Sequence, residues 1–290
     1  MGVRVLLIGD IVGRPGRQIV ERLLPMLRRQ ERLDLVVANA ENAAGGSGLT
    51  PAIYAQLRQA GVDVITLGDH AYRRRELLPL LEQTDRIVRP ANYPPEAPGR
   101  SWTVVETAEG IPVAIFTLLG RIFMPPVDCP LRAADRVLAE LPTQVRVILV
   151  DVHAEATSDK QLLARHLDGR VSAVLGTHTH VPTADETILP GGTAFQCDVG
   201  MTGPHDSIIG RRIDRVLETV RTQRPTHFEV ASQDVRLQGT IVEVDPDTGR
   251  TTAIRPLRIS EADIPLSVVP LAAHPDAVHS ETADSEKENS

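Results

Sequence analysis

The stretch "VSAVLGTHTHVP" (171–182) runs a short apolar, β-branched segment into a glycine and then into two histidines one residue apart. Four to six such residues bounded by Gly and Pro have the length and composition of a buried strand, not of a helix. Alternate residues of an extended chain face the same side. The segment therefore predicts His178 and His180 pointing together from a strand end. What such a pair can do depends on what stands at the ends of the other apolar runs.

Those runs recur along the chain, with helical patterns between them. "VRVLLIG" (3–9), "LDLVVA" (33–38) and "VDVITLG" (62–68) read as strands. The intervening 15–30 reads as a helix with Pro15 near its first turn, and 50–61 as a helix with Thr50 as N-cap, Pro51 at its first position and Gly61 ending it. Further strands are expected at 111–120, 145–151 and 171–176, with helices around 131–141 and 158–167. Strands alternating with helices predict an α/β layered sandwich. Beyond residue 225, "VRLQGTIVEVDPDTGRTTAIRPLRI" alternates apolar and polar residues about the turn "DPDTG", a hairpin with one solvated face that extends the same sheets. A single domain is expected over 1–270, followed by a disordered acidic tail over 271–290, where periodicity is lost.

Five of the apolar runs stop at groups that can bind a cation. The first ends in Asp10, the second in Asn39, Glu41 and Asn42, and the third in Asp69 and His70. The run at 145–151 leads to His153 and Glu155, and the opening stretch to His178 and His180. In open α/β sheets ligands bind outside the carboxyl ends of the strands, so these groups are expected to converge. Mixed oxygen and imidazole donors without thiolates suit Mn²⁺, Fe²⁺ or Zn²⁺. Asp10, Glu41, Asn42, Asp69, His153, His178 and His180 are too many for one tetrahedral ion. They suit two ions, which can activate a hydroxide and clamp the oxygens of a phosphoester. Single histidines elsewhere, such as His166, His205 and His227, are ordinarily structural or solvated and carry no assignment.

Bulk properties exclude several other classes. The longest apolar stretches are strand-sized, so no membrane span is expected, and the run after Met1 is too short for a secretory h-region. Two cysteines in 290 residues do not make a disulfide scaffold, which suits a reducing cytoplasm. A net charge of −7 and only 3% aromatic residues argue against stable nucleic-acid binding. Residues 274–290 carry five carboxylates against one lysine, so much of that charge lies in the tail.

On these residues the chain resembles the calcineurin-like metallophosphoesterases, and more closely the bacterial YmdB-like branch, whose members are described as 2′,3′-cyclic-nucleotide phosphodiesterases. The matching stretches are "GDIVGRPGR" (9–17), "ANAENAAGGSGLT" (38–50), "GDHAYRRRE" (68–76), "RPANYP" (89–94), "DVHAEATSDK" (151–160), "GTHTHVPTAD" (176–185) and "QCDVGMTGP" (196–204), in family order.

The resemblance implies a four-layer α/β/β/α sandwich and a centre of two divalent ions, iron or manganese with zinc as an alternative. Asp10, Glu41, Asn42, Asp69, His153, His178 and His180 would hold them, with Glu41 bridging. It further implies attack by a hydroxide held between the ions, with His70 protonating the leaving oxygen of a cyclic nucleotide. A phosphomonoesterase of the same fold, or a metal-binding regulatory scaffold without turnover, is the alternative reading. Val12 stands where many superfamily members carry the histidine of an Asp-x-His; the Glu41-Asn42 pair compensates. Asp69 replaces a family asparagine, and Tyr72 a common tryptophan. Asn92 and Tyr93 are expected to line the substrate pocket, one of Arg73, Arg74 and Arg75 to meet a phosphate, Glu155 to orient His153, and "CDVGMTGP" to fold over the site. The expected partner is a small phosphodiester; a homo-oligomer is also compatible.

Overall fold

A computed structural model describes residues 2–263; the expected tail over 271–290 lies outside them. Two sheets form its centre. The first runs in the order Asp10–Ile11, Met201–Pro204, Val235–Val244, Val3–Ile8, Leu35–Asn39, Val64–Thr66 and Ile87–Val88, with Thr251–Ser260 paired to Val235–Val244. The second runs Thr187–Ile188, Ala194–Gln196, Ala173–Thr177, Val147–His153, Pro112–Leu119 and Trp102–Glu106.

Side-chain parity along the strands builds the layers. In Val3–Ile8, Val3, Val5 and Leu7 join Leu35, Val37, Val113, Ile115, Val147, Leu149 and Leu175 in one core between the sheets. Leu6 and Ile8 face the other way and meet Ile19, Val20, Leu23, Leu24 and Leu27 of the helix Gly13–Gln30 and Leu57 of Pro51–Ala60. Across the molecule, Phe116, Leu118, Ile148, Val150 and Val152 pack on Ala133, Ala134 and Val137 of Pro130–Glu140 and on Leu163 and Leu167 of Thr157–Leu167. Residues two apart share a face, so each inner strand feeds two cores, and its run must be apolar throughout. The result is the expected four-layer α/β/β/α sandwich.

The central strands of each sheet run parallel: Val3–Ile8 with Leu35–Asn39 and Val64–Thr66, and Pro112–Leu119 with Val147–His153 and Ala173–Thr177. Their carboxyl ends lie along one edge of the sandwich. The hairpin Val235–Val244/Thr251–Ser260 turns at Gly249 (φ +73°) and extends the first sheet antiparallel to Val3–Ile8, as expected. The solvated face, however, is kept by Thr251–Ser260 alone, because Val235–Val244 is an interior strand whose polar Gln238 and Thr240 are also buried. Several elements were not legible in the sequence, among them the short strands Ile87–Val88, Thr187–Ile188 and Ala194–Gln196, the edge strand Trp102–Glu106 antiparallel to Pro112–Leu119, the helix Ile213–Thr222, and Met201–Pro204. The last corrects the expectation for "CDVGMTGP". Its second half is a strand paired with Asp10–Ile11, not a free loop. Among the described residues, no helix is long and apolar enough to cross a membrane.

Candidate metal centre

All the strand-end groups converge. Glu41, from the first sheet, places Oε2 3.3 Å from His153 Nε2 of the second, and Asp69 Oδ1 lies 3.2 Å from the same nitrogen. His178 Nδ1 is 3.0 Å from it. Ligand atoms of Glu41, Asp69, His153 and His178 all lie within 4.8 Å of one another, as a metal site requires. Beside this group, Asn42 Nδ2 lies 3.4 Å from His180 Nε2, which is 3.8 Å from Asp10 Oδ1. Asn42 Nδ2 also donates to Glu41 Oε1 at 3.0 Å, so Glu41 touches both halves. Gly68 makes the approach feasible: a Cβ there would collide with Glu41 Oε2 and His153 Nε2.

The polar floor sets which atoms face inward. Asp151 is fully buried and accepts from Thr66 Oγ1 at 2.6 Å, Thr177 Oγ1 at 2.7 Å and Asn39 Nδ2 at 3.1 Å, tying the two sheets together. With its own proton given to Asp151, Thr177 Oγ1 accepts from His153 Nδ1 at 2.8 Å. That bond selects the tautomer whose Nε2 lone pair faces Glu41, Asp69 and His178.

The donor set fits cations. Asp10 is fully buried; Oδ2 accepts from the His178 amide at 3.0 Å, while Oδ1 has no hydrogen-bond partner. An unpaired buried carboxylate oxygen is costly, and a cation satisfies it. Burial pushes the Asp10 carboxyl up to about 6. Burial also pulls the His153 imidazole down, yet Glu41, Asp69 and Asp10 outweigh it and hold it well above the ordinary range. Without metal, a proton takes the place that a cation would fill. Burial lifts Glu41, but His153 and His70 outweigh this and hold its carboxyl well below the usual carboxylate range. Burial and the neighbouring His153 depress His178 to about 4, so that ring is a neutral donor at pH 7.

The histidine pair reaches the centre by a different route from the one expected. The strand ends at Thr177, and His178 (φ +92°) and His180 (φ +64°) both adopt left-handed backbone. Two strained residues, not strand alternation, therefore bring the rings inward. Left-handed geometry at a residue with a Cβ costs roughly 1–3 kcal/mol and persists only where surrounding contacts over-determine it.

A cavity of about 250 Å³ opens above the cluster, walled by Val12, His70, Glu155, His180, Ile209 and Arg211 among others. His70 Nδ1 is anchored 2.9 Å from Asn42 Oδ1 and 3.1 Å from Glu41 Oε1. Burial lowers the His70 imidazole, but Glu41 and then Asp69 outweigh that and raise it. Arg211 was not anticipated. It donates to the carbonyls of Gly45, Gly46 and Phe228 and joins the loop after Asn42 to the turn carrying Ile209, whose carbonyl meets His180 Nδ1 at 3.1 Å. One of the two adjacent arginines in "IIGRRID", Arg211 has no sequence signal beyond its charge.

Other expectations are corrected. Asn92 does not face the cavity: it is fully buried, and its amide is consumed by Leu119 and by the Asp128 carbonyl. Tyr93 donates to the Gly68 carbonyl at 3.3 Å, with its ring 5.7 Å from that of Tyr72, and is not among the residues that wall this cavity. Glu155 lies 3.3 Å from His178 Nε2 rather than orienting His153. Arg74 is bonded to the Ala44 and Ser47 carbonyls, while Arg73 and Arg75 are exposed.

A four-layer sandwich with carboxylates, a carboxamide and imidazoles meeting at its strand ends is the metallophosphoesterase architecture. The family model for YmdB-like proteins matches residues 6–257, and the chain belongs to that family. A Bacillus subtilis protein named 2′,3′-cyclic-nucleotide 2′-phosphodiesterase is 42% identical over 259 residues, 89% of this chain and 98% of that protein. The crystal structure of a hypothetical protein from Thermus thermophilus superposes with a TM-score of 0.84 at 48% identity, covering 89% of this chain and 99% of that one. A Mycoplasma pneumoniae structure described as a novel phosphatase gives 0.84 at 32% identity, covering 90% and 94%.

Proposed function

We propose that the chain is a metal-dependent phosphodiesterase acting on 2′,3′-cyclic nucleotides, with residues 1–270 as its catalytic unit. The supporting observation is the convergence of donors from five strand ends of two sheets on one cluster, beneath a cavity that His70 lines. Glu41, Asp69, His153 and His178 would hold one divalent ion, and Asp10, Asn42 and His180 a second, with Glu41 shared. Manganese or iron suits this oxygen–imidazole set, with zinc an alternative. When bound, the ions supply Lewis acidity toward phosphoryl oxygens and activation of water.

The remaining chemistry belongs to side chains. Nδ1 of His70 is the anchored end, because both of its neighbours, Asn42 Oδ1 and Glu41 Oε1, accept. The proton available for transfer is therefore on Nε2, and it goes to the leaving ribose oxygen as the ester bond breaks. The raised imidazole stays protonated to higher pH than an ordinary histidine. Arg211 adds positive charge at the cavity wall, complementary to a phosphodiester.

The test is turnover of 2′,3′-cyclic AMP, a chromogenic diester and a chromogenic monoester by purified protein with Mn²⁺. Faster cleavage of the diesters supports the proposal. Preference for the monoester would make it a phosphomonoesterase. Stoichiometric Mn²⁺ uptake without turnover of any substrate would make it a binding scaffold.

A further inference from the structure

Beneath the histidine pair lies an ion pair that the reaction does not use. Lys160, on Thr157–Leu167, is only 1% exposed, yet it sends its ammonium 2.8 Å from Asp198 Oδ2. The same oxygen accepts from the Thr179 amide at 3.1 Å and from Thr179 Oγ1 at 2.7 Å. The other oxygen accepts from the Gly200 amide at 2.8 Å. Asp198 is itself fixed, for its amide donates to Thr183 Oγ1 at 2.9 Å and its carbonyl accepts from the Thr183 amide at 3.0 Å. Thr179 sits between the two left-handed histidines.

We propose that Lys160 and Asp198 are positioning residues, a buried clamp that holds the His178-Thr179-His180 backbone and so aims both imidazoles into the metal centre. This rests on the reading of that centre given above. Three donors converge on one oxygen, which an ionised carboxylate accommodates and a carboxamide does not. A buried ion pair is a weak source of stability, since apolar replacements of similar volume often do as well. Fixing a conformation that the backbone otherwise disfavours is a role that apolar residues cannot fill. The glycine of "LGTHTH" belongs to the device: a Cβ on Gly176 would strike the Cys197 carbonyl and come within 2.9 Å of Lys160 Cδ. The strand can therefore pass over the lysine stem only at a glycine.

The test uses metal-free and Mn²⁺-loaded protein carrying Asp198→Asn, Thr179→Val or Thr179→Ser. Thr179→Val keeps the ion pair and removes only the hydroxyl contact, which guards against misfolding of Asp198→Asn. In metal-free protein, hydrogen exchange across 177–182 should speed up in Asp198→Asn and Thr179→Val and stay at the parental rate across 3–8. Calorimetric Mn²⁺ affinity should fall by about 10- to 100-fold, and Thr179→Ser should restore both readouts. Parental exchange rates in Thr179→Val would overturn the clamp. So would faster exchange with unchanged Mn²⁺ affinity. Should the parent bind no Mn²⁺, the metal centre is refuted, and the exchange arm still decides whether the clamp exists.

Discussion

His70 and Asp69 are adjacent residues with separable roles. His70 contacts Asn42 and Glu41 through Nδ1 and lines the cavity, with Nε2 making no hydrogen bond among the described residues. His70→Ala should lower kcat by roughly 10²- to 10⁴-fold, the usual worth of a positioned acid, with Mn²⁺ stoichiometry retained. Full activity in that variant would refute the acid assignment. Asp69 lies 3.2 Å from His153 Nε2 but 3.7 Å from His70 Nε2. Among the influences that raise His70, Glu41 ranks ahead of Asp69. An acid must be protonated, so activity falls as pH rises through its pKa. Asp69→Asn removes one raising charge and should move the alkaline limb of kcat/KM to lower pH. An unmoved limb, with unchanged metal content, would show that Asp69 tunes neither group.

Single elements carry their own predictions. The helix Pro51–Ala60 starts at Thr50, whose side chain accepts from the Ile53 amide at 3.2 Å. Thr50→Ala should cost about 1 kcal/mol in chemical denaturation, because an amide of the first turn loses its partner. The segment after Met201–Pro204 holds His205, which donates through Nε2 to the Met201 carbonyl at 3.2 Å. Burial depresses this imidazole below its ordinary range, more than the carbonyl raises it. Above about pH 6.5 both folded and unfolded states are neutral there, and its contribution is complete. As pH falls below that value, the unfolded chain binds the proton first and the contribution is lost. The drop in Tm between pH 7.5 and 5.5 should therefore be smaller in His205→Gln than in the parent. Equal drops would contradict the assignment.

At the scale of the molecule, the centre joins the two sheets, so its occupancy is linked to global stability. Three carboxylates, Asp10, Glu41 and Asp69, meet in a space that is buried or nearly so. Cations that bind only the folded chain stabilise it by mass action, about 2.7 kcal/mol per site at a hundredfold excess over Kd. Chelation should lower Tm, and Mn²⁺ should restore it in a concentration-dependent way. A Tm indifferent to chelator and Mn²⁺ would mean that the cluster does not bind the ion.

The apolar runs, the caps at Thr50 and Gly61 and the polar residue at each strand end were legible in the linear chain, because parity, periodicity and capping are local physics. They determined the layered class and which polar groups stand at the strand ends. Tertiary structure alone decided how the donors meet. The left-handed turns at His178 and His180, the carboxylate of Asp198 over Lys160, and Arg211 stitched to Gly45 and Gly46 depend on contacts between segments far apart in the chain. Asn92 shows the converse: its residue type suited a pocket, but the neighbouring backbone consumed its amide. A strand end shows what a residue can offer, and only the packing of one sheet on the other determines which atom is left free to offer it.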